Sequence, residues 1–236
     1  MFNPNPRIET VPIGPGQACY VVDDALAEPE RWVQLAQRHR DRFQDSARNA
    51  FPGPELGFSP DLLAPLTDFF NAHLRGLLGG RRTVRSAARL SLVTRAPEAL
   101  QPWQCFCHTD RMDTPPDQVV AASVLYLFRD PALGGTAFYA PRKPMDEIAG
   151  LIRASRELAP DAFAARTGIA RGYMTGGNAW FDLATAVPAR WNRAIFYSGM
   201  VHHSGQILAP RRLDPDPAKG RLTINAFYTC TRRTAA

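Results

Sequence analysis

Residues Val119-Val-Ala-Ala-Ser-Val-Leu-Tyr-Leu-Phe128 form an apolar run rich in β-branched and aromatic side chains, and Gly134-Gly-Thr-Ala-Phe138 follows closely. A run of that length, bounded by turn residues, predicts a buried strand. It falls well short of the roughly 20 apolar residues a membrane-spanning helix needs. The glycine pair permits a tight bend before the next strand. Outward from this stretch the same texture recurs at 88–95, 103–109, 136–140, 194–198 and 221–230, with turn residues between the runs. Many short β-prone runs separated by turns predict an antiparallel sandwich or barrel.

Two helical stretches precede that region. In 28–43, Trp32, Val33, Leu35 and Ala36 recur at helical spacing behind Pro29, and in 59–78 the apolar positions from Leu62 to Leu77 keep the same period until Gly79-Gly80 stops it. A third, 145–168, interrupts the β-rich part. The expected organisation is one domain over 1–236: a helical support region at 1–82, then a β core at 83–236 with the helical insertion at 145–168.

The 236 residues, 45% hydrophobic and 21% charged, can bury a substantial core, which excludes a disordered tail or a fibrous repeat. The net charge is +6, spread over scattered arginine clusters such as Arg81-Arg82 and Arg211-Arg212, so a nucleic-acid partner is not implied. The first residues hold two prolines and no apolar stretch of a secretory signal, and the four cysteines fit reduced thiols. The expected location is cytoplasmic, away from membranes.

Of five histidines, His108, His202 and His203 lie beside β-prone runs, whereas His39 and His73 sit on the expected helices. In His108-Thr-Asp110 the period of an extended chain puts imidazole and carboxylate on one face. With one distant histidine they make a two-histidine, one-carboxylate set, which leaves half of an octahedral Fe(II) open. The distant ligand is expected at His202, in Phe196-Tyr-Ser-Gly-Met-Val-His202-His-Ser-Gly205, with His203 pointing the other way. Along Gly220-Arg-Leu-Thr-Ile-Asn225, Arg221, Thr223 and Asn225 share a face, and a guanidinium beside a hydroxyl suits a carboxylate. Cys105-x-Cys107-His108 offers softer donors of the kind zinc takes, but lacks a matching Cys-x-x-Cys pair.

The order His108-x-Asp110, Leu125-Tyr-Leu, Gly134-Gly-Thr, Phe196-x-Ser198-x-x-x-His202 and Arg221-x-Thr223 resembles the Fe(II)/2-oxoglutarate-dependent dioxygenases, in particular their prolyl-hydroxylase-like branch. The resemblance spans roughly 88–228. It implies a mainly β fold with flanking helices, built on a double-stranded β-helix, the jelly roll shared with cupins. It further implies His108, Asp110 and His202 as iron ligands, Arg221 as the partner of the distal carboxylate of 2-oxoglutarate, and Thr223 and Tyr126 as its helpers. His202 stands four residues after Ser198, as the family's distal histidine does. The chain departs from the family in the 19-residue step from His202 to Arg221, which carries a polar loop at 210–217, and in having Leu90-Ser-Leu-Val93 where the family commonly has a tyrosine.

The implied activity is that of an oxidoreductase: O2 and 2-oxoglutarate are consumed, succinate and CO2 leave, and a substrate C–H bond is hydroxylated. Asp110 stands where the family's halogenases lack a carboxylate. Two other classes share these residues: a cupin-like metalloenzyme that uses no 2-oxoglutarate, and a β-helix that only binds. The substrate is expected to be a small molecule or a peptide side chain, with 145–168 and 172–178 as candidate lids and a homodimer as one role for the N-terminal helices.

Overall fold

The structure, a computed structural model, describes residues 2–45, 49–110 and 114–233. In chain order it runs β1 (Ile8–Gly14), β2 (Gln17–Val22), α1 (Glu30–Arg38), β3 (Glu55–Gly57), α2 (Pro60–His73), β4 (Gly80–Val93), β5 (Gln118–Tyr126), β6 (Thr136–Pro141), α3 (Met145–Glu157), α4 (Pro160–Thr167), β7 (Phe181–Val187), β8 (Ala194–Ser198), β9 (His202–Gly205) and β10 (Arg221–Arg232). Seven strands form one antiparallel sheet in the order β1-β2-β8-β5-β10-β4-β3, and β7-β6-β9 form a second.

β10 shows how sequence alternation becomes two layers. Leu222, Ile224, Ala226, Tyr228 and Cys230 belong to a core shared with Leu66, Phe69 and Phe70 of α2 and Ala36 of α1. The Phe70 and Tyr228 rings stack with centroids 3.9 Å apart. The alternate residues Arg221, Asn225, Phe227 and Thr229 line a cavity on the other side of the sheet. There the two sheets meet: Val21, Ala122, Tyr126, Ile195 and Tyr197 of the large sheet pack with Phe138 and Val187 of the small one. The outer face of the small sheet is covered in turn, with Ala137, Tyr139 and Phe181 against Ile148 and Leu151 of α3 and Phe163 of α4. The layers are therefore helices, large sheet, small sheet and helices.

The expected runs at 88–95, 119–128, 136–140, 194–198 and 221–230 correspond to β4, β5, β6, β8 and β10, and the three helical stretches form. Three expectations need correction. The region 1–82 is not only helical, because β1 and β2 extend the large sheet at its edge. Pro12 obscures that strand in the sequence, and an edge position tolerates its missing N–H; the hairpin turns at Gly16, whose φ of +65 favours glycine. The stretch 103–109 is not a strand: Pro102–Gln104 makes a 3-10 turn, and only His108 bridges to the small sheet. Finally, α3 and α4 are packed behind the small sheet and do not line the cavity, which removes 145–168 as a lid.

Candidate active site

The cavity between the sheets measures about 440 Å³. Its central feature is built by two backbone anchors. His108 N–H donates to His203 O at 3.0 Å and His203 N–H to His108 O at 2.8 Å, which fixes two distant segments side by side. Asp110 N–H then donates to Gly199 O at 2.7 Å, in the turn after β8. A Cβ at Gly199 would lie 3.1 Å from the Cβ of Asp110, so this close approach suits glycine.

These anchors bring donor atoms of His108, Asp110 and His203 within 4.8 Å of one another. Asp110 Oδ1 lies 3.7 Å from His108 Nε2, and Asp110 Oδ2 lies 3.3 Å from His203 Nε2. Oδ2 is buried and accepts no hydrogen bond. A buried carboxylate oxygen without a donor is costly in a finished protein interior and natural at a site that takes a cation. The Nδ1 of His203 is 2.9 Å from the carbonyl of Val201, which can only accept, so this contact places the proton on Nδ1 and leaves the Nε2 lone pair facing Asp110. Burial lowers the pKa of both histidines, that of His203 to about 4, and keeps the imidazoles neutral. Burial also raises the carboxyl of Asp110, opposed by His108 and then by Arg89. Two neutral imidazoles and one carboxylate are the donor set that suits Fe(II).

The expectation that His202 joins His108 and Asp110 needs correction: the histidine the structure brings to them is His203. β9 pairs with β6 in the register Phe138↔His203 and Tyr139↔His202. Phe138 faces the inter-sheet core and Tyr139 the helical side, so His203 points into the cavity with Phe138. His202 points the other way, its ring 5.2 Å from that of Phe181. Counting from Ser198 fails because a turn closed by Val201 N–H to Ser198 O at 3.0 Å interrupts the strand, and alternation does not carry through a turn.

Arg221 is 3% exposed and reaches the same cavity. Its Nε donates to Leu133 O at 3.0 Å and Gly134 O at 3.3 Å, and its Nη2 to Gly135 O at 2.9 Å. The glycine bend at 134–135 is thus what orients the guanidinium. No carboxylate pairs with it among the described residues. A buried arginine keeps its charge, and carbonyls alone leave that charge uncompensated. Thr223 and Tyr126 stand behind the cavity wall rather than on it: Thr223 Oγ1 donates to Ser91 O at 3.4 Å, and Tyr126 OH meets Thr136 Oγ1 at 2.8 Å. Of their two hydrogen-bond partners, Thr136 lines the cavity and Ser91 does not.

Trp103 lines the cavity, and Tyr173 and Met174 bring the loop 172–178 to it. Cys105 and Cys107 are buried beside Phe106 and Leu100, and burial raises both thiols. They are not part of the donor cluster, which sets aside the zinc arrangement. Sequence reasoning missed Arg85 and Arg89, two further arginines on the cavity wall. Their two-by-two alternation with Ala87 along β4 was the available signal.

Fold and site together define a class: a two-sheet antiparallel β protein with a partly buried two-histidine, one-carboxylate cluster in the cavity between its sheets. The chain belongs to the family of unknown function DUF6445, whose model matches residues 4–228. No curated protein matches it in sequence. Among solved structures it is similar to SnoN, the non-heme alpha-ketoglutarate-dependent epimerase from nogalamycin biosynthesis, at 14% identity over 91% of this chain and 80% of that one, with a TM-score of 0.48. It is similar also to HygX from Streptomyces hygroscopicus, solved with nickel and 2-oxoglutarate, at 12% identity over 90% and 82%, with a TM-score of 0.47. A third is the Kdo hydroxylase KdoO, in complex with succinate and Fe(III), at 13% identity over 87% and 75%, with a TM-score of 0.39.

Proposed function

We propose that the protein is an Fe(II)- and 2-oxoglutarate-dependent oxygenase that hydroxylates its substrate, on a fold that is a double-stranded β-helix. The observation that carries this reading is one cavity holding both a cluster of His108, Asp110 and His203 and the buried, carboxylate-free Arg221. The similarity to proteins solved with iron or nickel and 2-oxoglutarate or succinate accords with it.

In this reading His108 Nε2, Asp110 and His203 Nε2 hold Fe(II), and His203 is oriented by Val201. Bound there with 2-oxoglutarate, the iron supplies O2 activation and C–H oxidation, with succinate and CO2 released. The chain's own part is binding and exclusion of water. Arg221, held by the carbonyls of residues 133–135, receives the distal carboxylate; Thr136, hydrogen-bonded to Tyr126, lines the same cavity. Tyr197, Phe106 and Val120 line the walls near the cluster. Among the described residues no helix is long and apolar enough to cross a membrane, and four free, buried cysteines accord with a reducing cytoplasm.

Incubation with Fe(II), 2-oxoglutarate and O2 tests the reading through succinate. Formation that needs all three supports it. Iron-bound protein that forms no succinate and does not bind 2-oxoglutarate supports the cupin-like alternative instead.

A further inference from the structure

The cavity does not end at the metal cluster. On the side away from Arg221 its wall is β4 and β10, where Asn225 pairs with Arg89, Phe227 with Ala87 and Thr229 with Arg85. Arg85, Ala87, Arg89, Asn225 and Phe227 all line the cavity. The small side chain of Ala87 leaves open space between the two arginines. Asp110 is the only acidic residue on the described lining, against Arg85, Arg89 and Arg221.

Arg89 is held by one edge only. Its Nε lies 2.7 Å from Glu55 Oε1, and its guanidinium sits over the Phe227 ring at 4.9 Å. Glu55 is itself fixed by Ser91 Oγ at 3.0 Å and by Asn49. The ion pair with Glu55 and the Phe227 ring hold the guanidinium against the wall, yet its buried Nε finds no hydrogen-bond partner and its terminal nitrogens make no hydrogen bond to the described protein. The exposed side chain of Arg85 has no ion-pair or hydrogen-bond partner among the described residues. The register shift between Thr229 and Cys230 places Arg82 opposite Thr231, and Thr229 and Thr231 share a face of β10, so Arg82 continues the same row towards the sheet's end. An arginine with unused donors, on the same strand face and in the same cavity as a second arginine whose side chain has no protein partner, is a receptor for an oxyanion. A structural salt bridge to Glu55 would need neither the free donors of Arg89 nor Arg85.

We infer that Arg89 and Arg85 form an anion subsite for the substrate, which carries a carboxylate or phosphate group on an apolar body that lies against Phe227. Its meaning as a substrate subsite rests on the oxygenase reading above. Arg82 lies outside the subsite and draws anions towards it.

Calorimetric titration with phenylphosphate, phenylacetate and neutral 2-phenylethanol tests this, in wild type and in the Arg85→Gln, Arg89→Gln and Arg221→Gln variants, each with 2-oxoglutarate present. Mn(II) binding is followed by EPR in the same samples. The charged probes are expected to bind about tenfold or more tighter than the alcohol, and to lose about tenfold in Arg85→Gln and in Arg89→Gln while Arg221→Gln keeps them. Preference for phenylphosphate identifies a phosphate-bearing substrate, and preference for phenylacetate a carboxylate. Equal binding of charged and neutral probes, or a loss confined to Arg221→Gln, overturns the inference. Should Arg89→Gln fail to fold with Glu55 unpaired, the exposed Arg85→Gln carries the test alone. Arginine-dependent anion binding without Mn(II) upholds the subsite and overturns the oxygenase reading; Mn(II) binding without anion discrimination does the reverse.

Discussion

The two faces of β10 do different work with the same backbone. Towards the helices every residue from Leu222 to Cys230 in alternation is apolar and buried, and the Phe70–Tyr228 stack is the tightest aromatic contact there. Towards the cavity Arg221, Asn225, Phe227 and Thr229 line open space, with Thr223 behind the wall, and they share that space with His108, Asp110 and His203. Stability is concentrated on the face that water cannot reach. Chemistry is concentrated on the face that packing leaves unfilled.

Substitutions on either face should therefore separate. The largest effect is expected at the cluster: His203→Ala loses stoichiometric Fe(II) binding, while His202→Ala keeps it, as measured by anaerobic equilibrium dialysis. Retention in His203→Ala with loss in His202→Ala would break the register argument. On the helix face, Phe70→Ala removes the ring stacked on Tyr228 and should cost about 3–5 kcal/mol in urea unfolding, with 2-oxoglutarate affinity unchanged at temperatures where the variant is folded. Back on the cavity face, Arg221→Gln should weaken 2-oxoglutarate about 10- to 100-fold in the same calorimetric assay and leave Fe(II) bound.

A smaller effect sharpens the comparison at the sheet's rim. Asp23, after β2, accepts from Arg193 Nε at 2.6 Å and Nη2 at 3.0 Å and from Arg190 at 3.1 Å, clamping β2 to β8. The hydrogen bonds from Arg193 chiefly hold its carboxyl below the usual carboxylate range. A depressed folded-state value stabilises the fold above the unfolded value and loses that contribution as pH falls through the folded one. Asp23→Asn should cost about 1 kcal/mol at neutral pH, where the pair is partly exposed, and the difference from wild type should vanish in acid.

Much of this was written in the periodicity. Alternation in 221–230 and the apolar run at 119–128 specify β10 and β5, and helical spacing specifies α1, α2 and α3, because each pattern needs only local information. β7 and β9 escaped because their residues, such as Asp182 and His202-His203, are polar or few, and those strands exist only through pairing with β6. In the site, His108, Asp110 and Arg221 were legible from spacing, and the cavity gathers them. The choice between His202 and His203 was not, since it depends on which residue of β6 each one faces after a turn. Arg85 and Arg89 were hidden for a similar reason: an arginine on a strand reads as solvent-facing until the opposite sheet is in place.

Anaerobic titration of Fe(II) into the protein with and without 2-oxoglutarate addresses the central claim most directly. A weak visible charge-transfer band that appears only when both are present, and is absent in His203→Ala, is the predicted result. Iron bound at full stoichiometry with no band at any 2-oxoglutarate concentration would contradict the account.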